Sequence, residues 1–231
     1  MLASAIIAAG GSGTRLGYKE PKQFLELKGK PIIAWSLEAF SKATEIGEII
    51  VVAPLEHLDR ASAYADKYCG TKSYKVVPGG GTRQESVKNG LSASSSTMEL
   101  VAVHDAARPF ITPDEIDAIC LMARDLGAAI LAQRINDTVK EVHEGIVTRT
   151  VDRSKLVAAL TPQVCRKKDL LDAYEKAAAD GFMATDESSL LEYIGVNVVV
   201  QISNSINFKI TTEADLKMAQ ALVNCMDFGG E

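Results

Sequence analysis

Short runs rich in β-branched residues alternate along this chain with stretches whose apolar residues fall three and four positions apart, and that alternation restricts the fold more than any single motif. Ser4 to Ala9 reads as a strand. A Gly-rich turn follows, and then Pro31 to Lys42, where Ile33, Leu37 and Phe40 share one helical face. Glu48 to Ala53 is almost wholly β-branched, the pattern of a strand covered on both faces. Thr82, with Glu85 three residues on, predicts a capping box opening a helix that carries Val87 and Leu91. Leu100 to Val103 predicts another buried strand. Thr112-Pro113-Asp114-Glu115 then supplies an N-cap, a proline at the first helical position and early carboxylates, a helix start. Ala128 to Ala132, Val196 to Ile202 and Asn207 to Ile210 complete the predicted strands, and Thr212 caps a last helix. Strands alternating with helices imply a doubly wound α/β fold with a mostly parallel sheet. With 231 residues and no repeat of fixed period, a single domain over 1–231 is expected.

One segment breaks the rhythm. Residues 137–152 show strand alternation on both sides of Glu144-Gly145, which predicts a β-hairpin with little core-facing mass. An isolated hairpin is marginal in water. Either it is a protruding arm over about 136–153 that packs on a second subunit, making the protein a homodimer, or it folds back along the edge of its own domain.

Composition narrows the class. At 47% hydrophobic and 24% charged residues, collagen-like, low-complexity and disordered chains are excluded. No apolar run approaches the roughly 18 residues a membrane span needs, so no membrane partner is expected. The opening segment lacks the basic region and cleavage pattern of a signal peptide. Cys69, Cys120, Cys165 and Cys225 are widely spaced and only three histidines are present, so zinc-site and disulfide patterns both fail. A reducing, cytoplasmic location is expected. A net charge of −5 argues against a nucleic-acid partner. Yet Arg15, Lys19, Lys22, Lys28 and Lys30 against Glu20 and Glu26 make the first 30 residues locally basic, which suits a small polyanion held at one place.

In open α/β sheets, ligands bind beyond the carboxyl ends of the strands. The first such turn, Ala8-Ala-Gly-Gly-Ser-Gly-Thr-Arg-Leu16, has three glycines within four residues, leaving backbone N–H groups uncrowded for phosphate oxygens. It is neither GxGxxG nor a Walker A loop. Arg15 and Lys22 flank those glycines with a fork donor and a point charge, the donors a triphosphate needs. His104-Asp105-Ala-Ala-Arg108-Pro109 follows a predicted strand. A carboxylate there can hold Mg²⁺ against a nucleotide or, alternatively, cap a turn. His104 reads as a packed, hydrogen-bonded neighbour, since no nucleophile stands near it in the sequence.

These residues carry a resemblance. Ala8 to Leu16 with Pro21-Lys22-Gln23, Gly79-Gly-Gly-Thr-Arg-Gln-Glu-Ser86, Val103-His-Asp-Ala-Ala-Arg-Pro109, Thr150-Val-Asp-Arg153, Leu160-Thr-Pro-Gln163, Thr185-Asp-Glu187 and Asn207-Phe-Lys-Ile-Thr211 occur in one order. Over about residues 3–223 the chain resembles the 2-C-methyl-D-erythritol 4-phosphate cytidylyltransferases, a Rossmann-like nucleotidyltransferase family. The resemblance implies transfer of CMP from CTP to methylerythritol 4-phosphate, with release of pyrophosphate, in the non-mevalonate isoprenoid route. It implies that Arg15 and Lys22 hold the triphosphate, Lys209 reaches the α-phosphate and Asp105 ligates Mg²⁺ or another divalent cation. Ala8, Ala9, Gly10, Gly11, Gly80, Gly81 and Ser86 would bind the nucleotide. Arg108, Thr161 and Thr185 would face the methylerythritol phosphate, and Thr138 and Arg153 would serve it across a dimer interface.

Two departures stand out: Gly81 where some relatives carry Asp, and Ser203-Asn-Ser-Ile206 where some carry charge. Two other readings stay open. Ribitol 5-phosphate cytidylyltransferases resemble this family along their length, although the Ala106-Ala107 form favours methylerythritol phosphate. A nucleotide-binding regulator without turnover would need phosphate contacts but not the full set of Arg15, Lys22, Asp105 and Lys209.

Overall fold

The computed structural model describes residues 1–10 and 20–226. Its centre is a seven-stranded sheet in the order β11-β7-β10-β6-β1-β4-β5. The strands are β1 (Ala3–Ala8), β4 (Ile46–Ala53), β5 (Ser73–Pro78), β6 (Leu100–Asp105), β7 (Ala128–Arg134), β10 (Val157–Arg166) and β11 (Val199–Ile202). Pairing is parallel between β1 and β4, β1 and β6, β4 and β5, and β11 and β7. Among the described strands of this sheet only β10 runs antiparallel, against both β6 and β7. The sheet is therefore mostly parallel, as the alternation required.

Helices cover both faces. On one side α1 (Ile32–Lys42), α2 (Leu58–Tyr68) and α4 (Pro113–Leu126) pack Ile33, Leu37, Phe40, Ala61, Ile116 and Ile119 against Ile7, Ile49 and Val51. On the other, α3 (Arg83–Ala93), α5 (Lys167–Asp180) and α6 (Glu187–Tyr193) pack Val87, Leu91, Leu170 and Leu190 against Ile6, Ile50 and Val103. Side chains alternate across a strand, so the adjacent Ile6 and Ile7 enter opposite cores. A third cluster forms where α7 (Glu213–Met226) lays Leu216, Ala219 and Val223 on Leu27, Ile32 and Phe110. Two further strands, β2 (Glu26–Leu27) and β3 (Lys30–Pro31), make a small ladder just before α1.

The predicted helix starts are present. Thr82 forms a full capping box with Glu85, and Thr112 caps α4 ahead of Pro113. Two expectations are corrected. Asn207 to Ile210 is not a strand: its polar groups are spent on loop contacts, with the Ile210 N–H donating to the Ala107 carbonyl at 2.9 Å and the Asn207 carbonyl accepting from Arg108 at 3.0 Å. β11 begins at Val199 rather than Val196, because the Val196 N–H still closes the turn after α6 on the Leu191 carbonyl at 3.0 Å. β5 and β10 are strands without a pattern that marks them in the sequence.

The hairpin is present: β8 (Val139–His143) pairs antiparallel with β9 (Ile146–Val151) as a two-stranded sheet separate from the main one. Glu144 and Gly145 turn it with φ of 49° and 81°, the left-handed pair that a two-residue hairpin loop requires. Val142, Ile146 and Val147 on this arm are 55%, 71% and 55% exposed, so the chain itself gives the arm almost no burial.

Candidate active site

At the carboxyl ends of β1 and β6 lies a cavity of about 330 Å³. Ala8, Ala9 and Gly10 form one wall, Gly80, Gly81 and Ser86 another, and Lys22, Arg83, Asp105 and Lys209 contribute charge. The register explains the meeting: Ala8 lies beside both Asp105 and Val52, so three strands end within one residue of the same level. The turn after β5 brings in the glycines. There the Gly80 N–H donates to Ser86 Oγ at 3.0 Å, and Ser86 Oγ donates to the Thr82 carbonyl at 2.8 Å, which ties the glycine turn to α3. Gln23 Nε2 donates to the Ala9 carbonyl, joining the segment that carries Lys22 to the end of β1.

Two lysines reach the cavity from opposite ends of the chain. Lys22 Nζ donates to the Ile210 carbonyl at 2.8 Å. Lys209, from the same segment as Ile210, places its Nζ 2.8 Å from Asp105 Oδ2. Asp105 also meets Arg83 Nε at 3.4 Å and Arg108 Nε at 3.6 Å. Burial would raise its carboxyl, but Lys209, Arg83 and Arg108 outweigh that and hold it well below the usual carboxylate range. Asp105 is thus a fixed anion within a ring of cations.

His104 is fully buried beside it and takes no place in the cavity lining. Its Nδ1 lies 3.1 Å from Thr161 Oγ1, its Nε2 3.2 Å from the Arg108 carbonyl, and its ring centroid 5.0 Å from that of Phe40. Burial pushes the imidazole down to about 4, which keeps it neutral near pH 7. This is the packed neighbour that the sequence suggested.

Thr161 is buried behind Asp105, its hydroxyl accepting from the Asp105 N–H at 3.1 Å. Arg108 is buried as well, and burial lowers its guanidinium despite Asp105. Thr185, Thr138 and Arg153 are exposed and lie outside the cavity lining, and Arg153 donates to the Asn136 carbonyl at the base of the arm. Gly11 and Arg15 fall outside the described residues.

Sequence reasoning missed one feature of the cavity. Arg83 binds the buried Glu187 bidentately, at 2.7 and 2.9 Å. Arg83 reads in sequence as part of a capping box, and Glu187 as part of the Thr185-Asp-Glu187 motif that carries the resemblance. Nothing local marks them as partners across 104 positions.

Comparison with known proteins places the chain in a family. The family model of 2-C-methyl-D-erythritol 4-phosphate cytidylyltransferase matches residues 3–225. A protein of that name from Solibacter usitatus is 40% identical, over 95% of this chain and 94% of its own length. Another, from Halalkalibacterium halodurans, is 38% identical over 95% of this chain and 96% of its own. The crystal structure of 4-diphosphocytidyl-2C-methyl-D-erythritol synthase from Anaerococcus prevotii superposes with a TM-score of 0.86 at 33% identity, covering 96% of each chain. On the whole-length match, the ordered motifs and the shared architecture, this chain belongs to the 2-C-methyl-D-erythritol 4-phosphate cytidylyltransferase family.

Proposed function

We propose that this protein transfers the cytidylyl group of CTP to 2-C-methyl-D-erythritol 4-phosphate in the non-mevalonate route to isoprenoids, in the cytoplasm. The observation that carries the reading is the convergence of Lys22 and Lys209 on one cavity with Asp105, Gly10 and the Gly80-Gly81 turn, in a chain of this family.

The backbone of Ala8 to Gly10, the turn at Gly80 and Gly81 and the Ser86 hydroxyl form the wall for the cytosine and ribose. Ser86 Oγ keeps an acceptor lone pair beyond its bonds within the turn. Lys22, with Gly11 and Arg15 by resemblance, holds the triphosphate. A phosphate oxygen of methylerythritol phosphate bonds to the α-phosphorus while the bond from that phosphorus to the bridging oxygen breaks, and pyrophosphate leaves with the electron pair. Such transfers need little covalent help and are driven by positioning and by neutralising charge. Lys209 stands where it can follow the α-phosphate as charge builds.

The donor set also suits a divalent ion. Among the described residues no group of three or more His, Cys, Asp or Glu gathers to hold a metal alone. One ionised carboxylate beside phosphate oxygens is the protein share that Mg²⁺ typically takes. Asp105 would hold the ion, which when bound would neutralise charge on the triphosphate.

The exposed arm supports a homodimer in which Thr138 and Arg153 serve the substrate of the second copy, with Arg108 and Thr185 on the chain's own side. Thr161, behind Asp105, orients that carboxylate's backbone. Lys22→Ala and Lys209→Ala test the reading: each should lower kcat by about 10²–10³, the scale of losing one preorganised donor, while the protein stays folded. Near-normal pyrophosphate release by folded Lys22→Ala overturns it.

A further inference from the structure

We infer that Glu187 is a positioning residue that keeps the Arg83 fork off Asp105, leaving Oδ1 of that carboxylate open to the metal-bound nucleotide. The inference rests on Asp105 holding a divalent ion.

A guanidinium beside a carboxylate normally closes on it through two parallel N–H bonds. Here Arg83 meets two carboxylates and divides itself unequally. Its terminal nitrogens go to Glu187 at 2.7 and 2.9 Å, and only Nε faces Asp105, at a long 3.4 Å. Were the fork free, its natural destination would be Asp105, whose Oδ2 already accepts from Lys209. Oδ1, now met by the Arg83 Nε only at 3.4 Å, would then be closed by a short contact, while Oδ2 already lies 2.8 Å from Lys209 and 3.6 Å from Arg108.

Glu187 is built to stay where it is. It is 1% exposed and opens α6, whose N-cap Asp186 accepts from the Ser189 N–H at 3.0 Å. Gln163 on β10 pins the same helix start from the sheet, donating to Asp186 at 2.9 Å and accepting from the Ser188 N–H at 2.9 Å. Arg83 is fixed from its own side as the first residue of α3, behind the Thr82 capping box. Burying a carboxylate is costly unless it is paired. The arrangement spends a buried charge to fix the guanidinium beside the cavity, with its fork turned away from Asp105.

The test reads nucleotide binding without turnover: calorimetric CTP affinity with and without Mg²⁺, methylerythritol phosphate omitted. In the wild type, Mg²⁺ should tighten CTP at least tenfold. Glu187→Gln should lose most of that gain, because the weakened fork swings to Asp105. Adding Arg83→Met to Glu187→Gln should restore the gain to within about threefold of wild type, a rescue that a merely structural role does not produce. If melting shows that Glu187→Gln does not fold, Glu187→Asp, too short for the bidentate contact, takes its place. A wild-type gain in either Glu187 variant, or a double variant no better than the single, overturns the inference. Asp105→Asn separates the two levels: should it keep the full Mg²⁺ gain, the metal reading fails and this inference with it, whereas loss in Asp105→Asn but not in Glu187→Gln leaves the metal reading standing alone.

Discussion

His104 shows how a polar residue beside an active site can serve the scaffold. It is sealed between Phe40, Thr161 and the Arg108 carbonyl, and its folded value of about 4 lies below the ordinary 6.5. The unfolded chain therefore binds a proton between those limits that the folded chain refuses. Stability from this group is whole above about pH 6.5 and is lost as pH falls toward 4, by about 3 kcal/mol at roughly 1.4 kcal/mol per unit. Urea unfolding of the metal-free protein from pH 7 to 4 should show that slope, and His104→Gln should flatten it. An equal slope in the variant contradicts the assignment. Lys209, 2.8 Å from Asp105, and Lys22, on the Ile210 carbonyl, line the cavity instead, and their substitution should change turnover far more than stability. The residue scale is also where the sequence told least. Arg83 and Glu187 fall in two motifs 104 positions apart with nothing local that pairs them, so only the folded chain reveals their contact.

Among the elements, α3 lies close against the sheet. Gly90 faces β1 and β4, where a Cβ would meet Ile6 Cγ2 at 2.7 Å and Val52 Cγ2 at 2.8 Å. Both neighbours are buried and β-branched and cannot swing away. Gly90→Ala should cost about 1–3 kcal/mol by overpacking, despite the gain in helix propensity, read as a lower midpoint in urea. A stabilised variant would show that α3 can lift from the sheet without loss. The elements also show what makes a pattern legible. β1, β4 and β6 are sheathed on both faces and announce themselves as continuous apolar runs. β5 lies at the sheet edge and is half-exposed, and β10 carries Pro162 and runs antiparallel, so neither has that signature. Asn207 to Ile210 has the composition of a strand, but its backbone is claimed by Ala107, Arg108 and Lys22. The β8–β9 arm was legible because its turn chemistry and alternation are local. Removing its contact at the second copy, by Arg153→Ala, should raise KM for methylerythritol phosphate while leaving CTP affinity nearly intact.

At the scale of the whole molecule, the arm and the cavity belong to one argument: a separate hairpin with exposed Val142, Ile146 and Val147 has little reason to persist unless a second copy covers it. A two-fold dimer would then contain two equivalent shared sites. Mixing Lys22→Ala with Arg153→Ala should restore activity, because each heterodimer pairs one intact site with one doubly defective site. No recovery after proven subunit exchange, or full activity as a monomer, contradicts the shared site. The reaction itself is the central claim, and pyrophosphate release tests it most directly. With CTP and Mg²⁺ held constant, methylerythritol 4-phosphate is compared with ribitol 5-phosphate as acceptor. The account predicts rapid release with methylerythritol 4-phosphate, at a kcat/KM at least a hundredfold above that for ribitol 5-phosphate, and none when the acceptor is omitted. Preference for ribitol 5-phosphate, or CTP binding without pyrophosphate release from either acceptor, would contradict it.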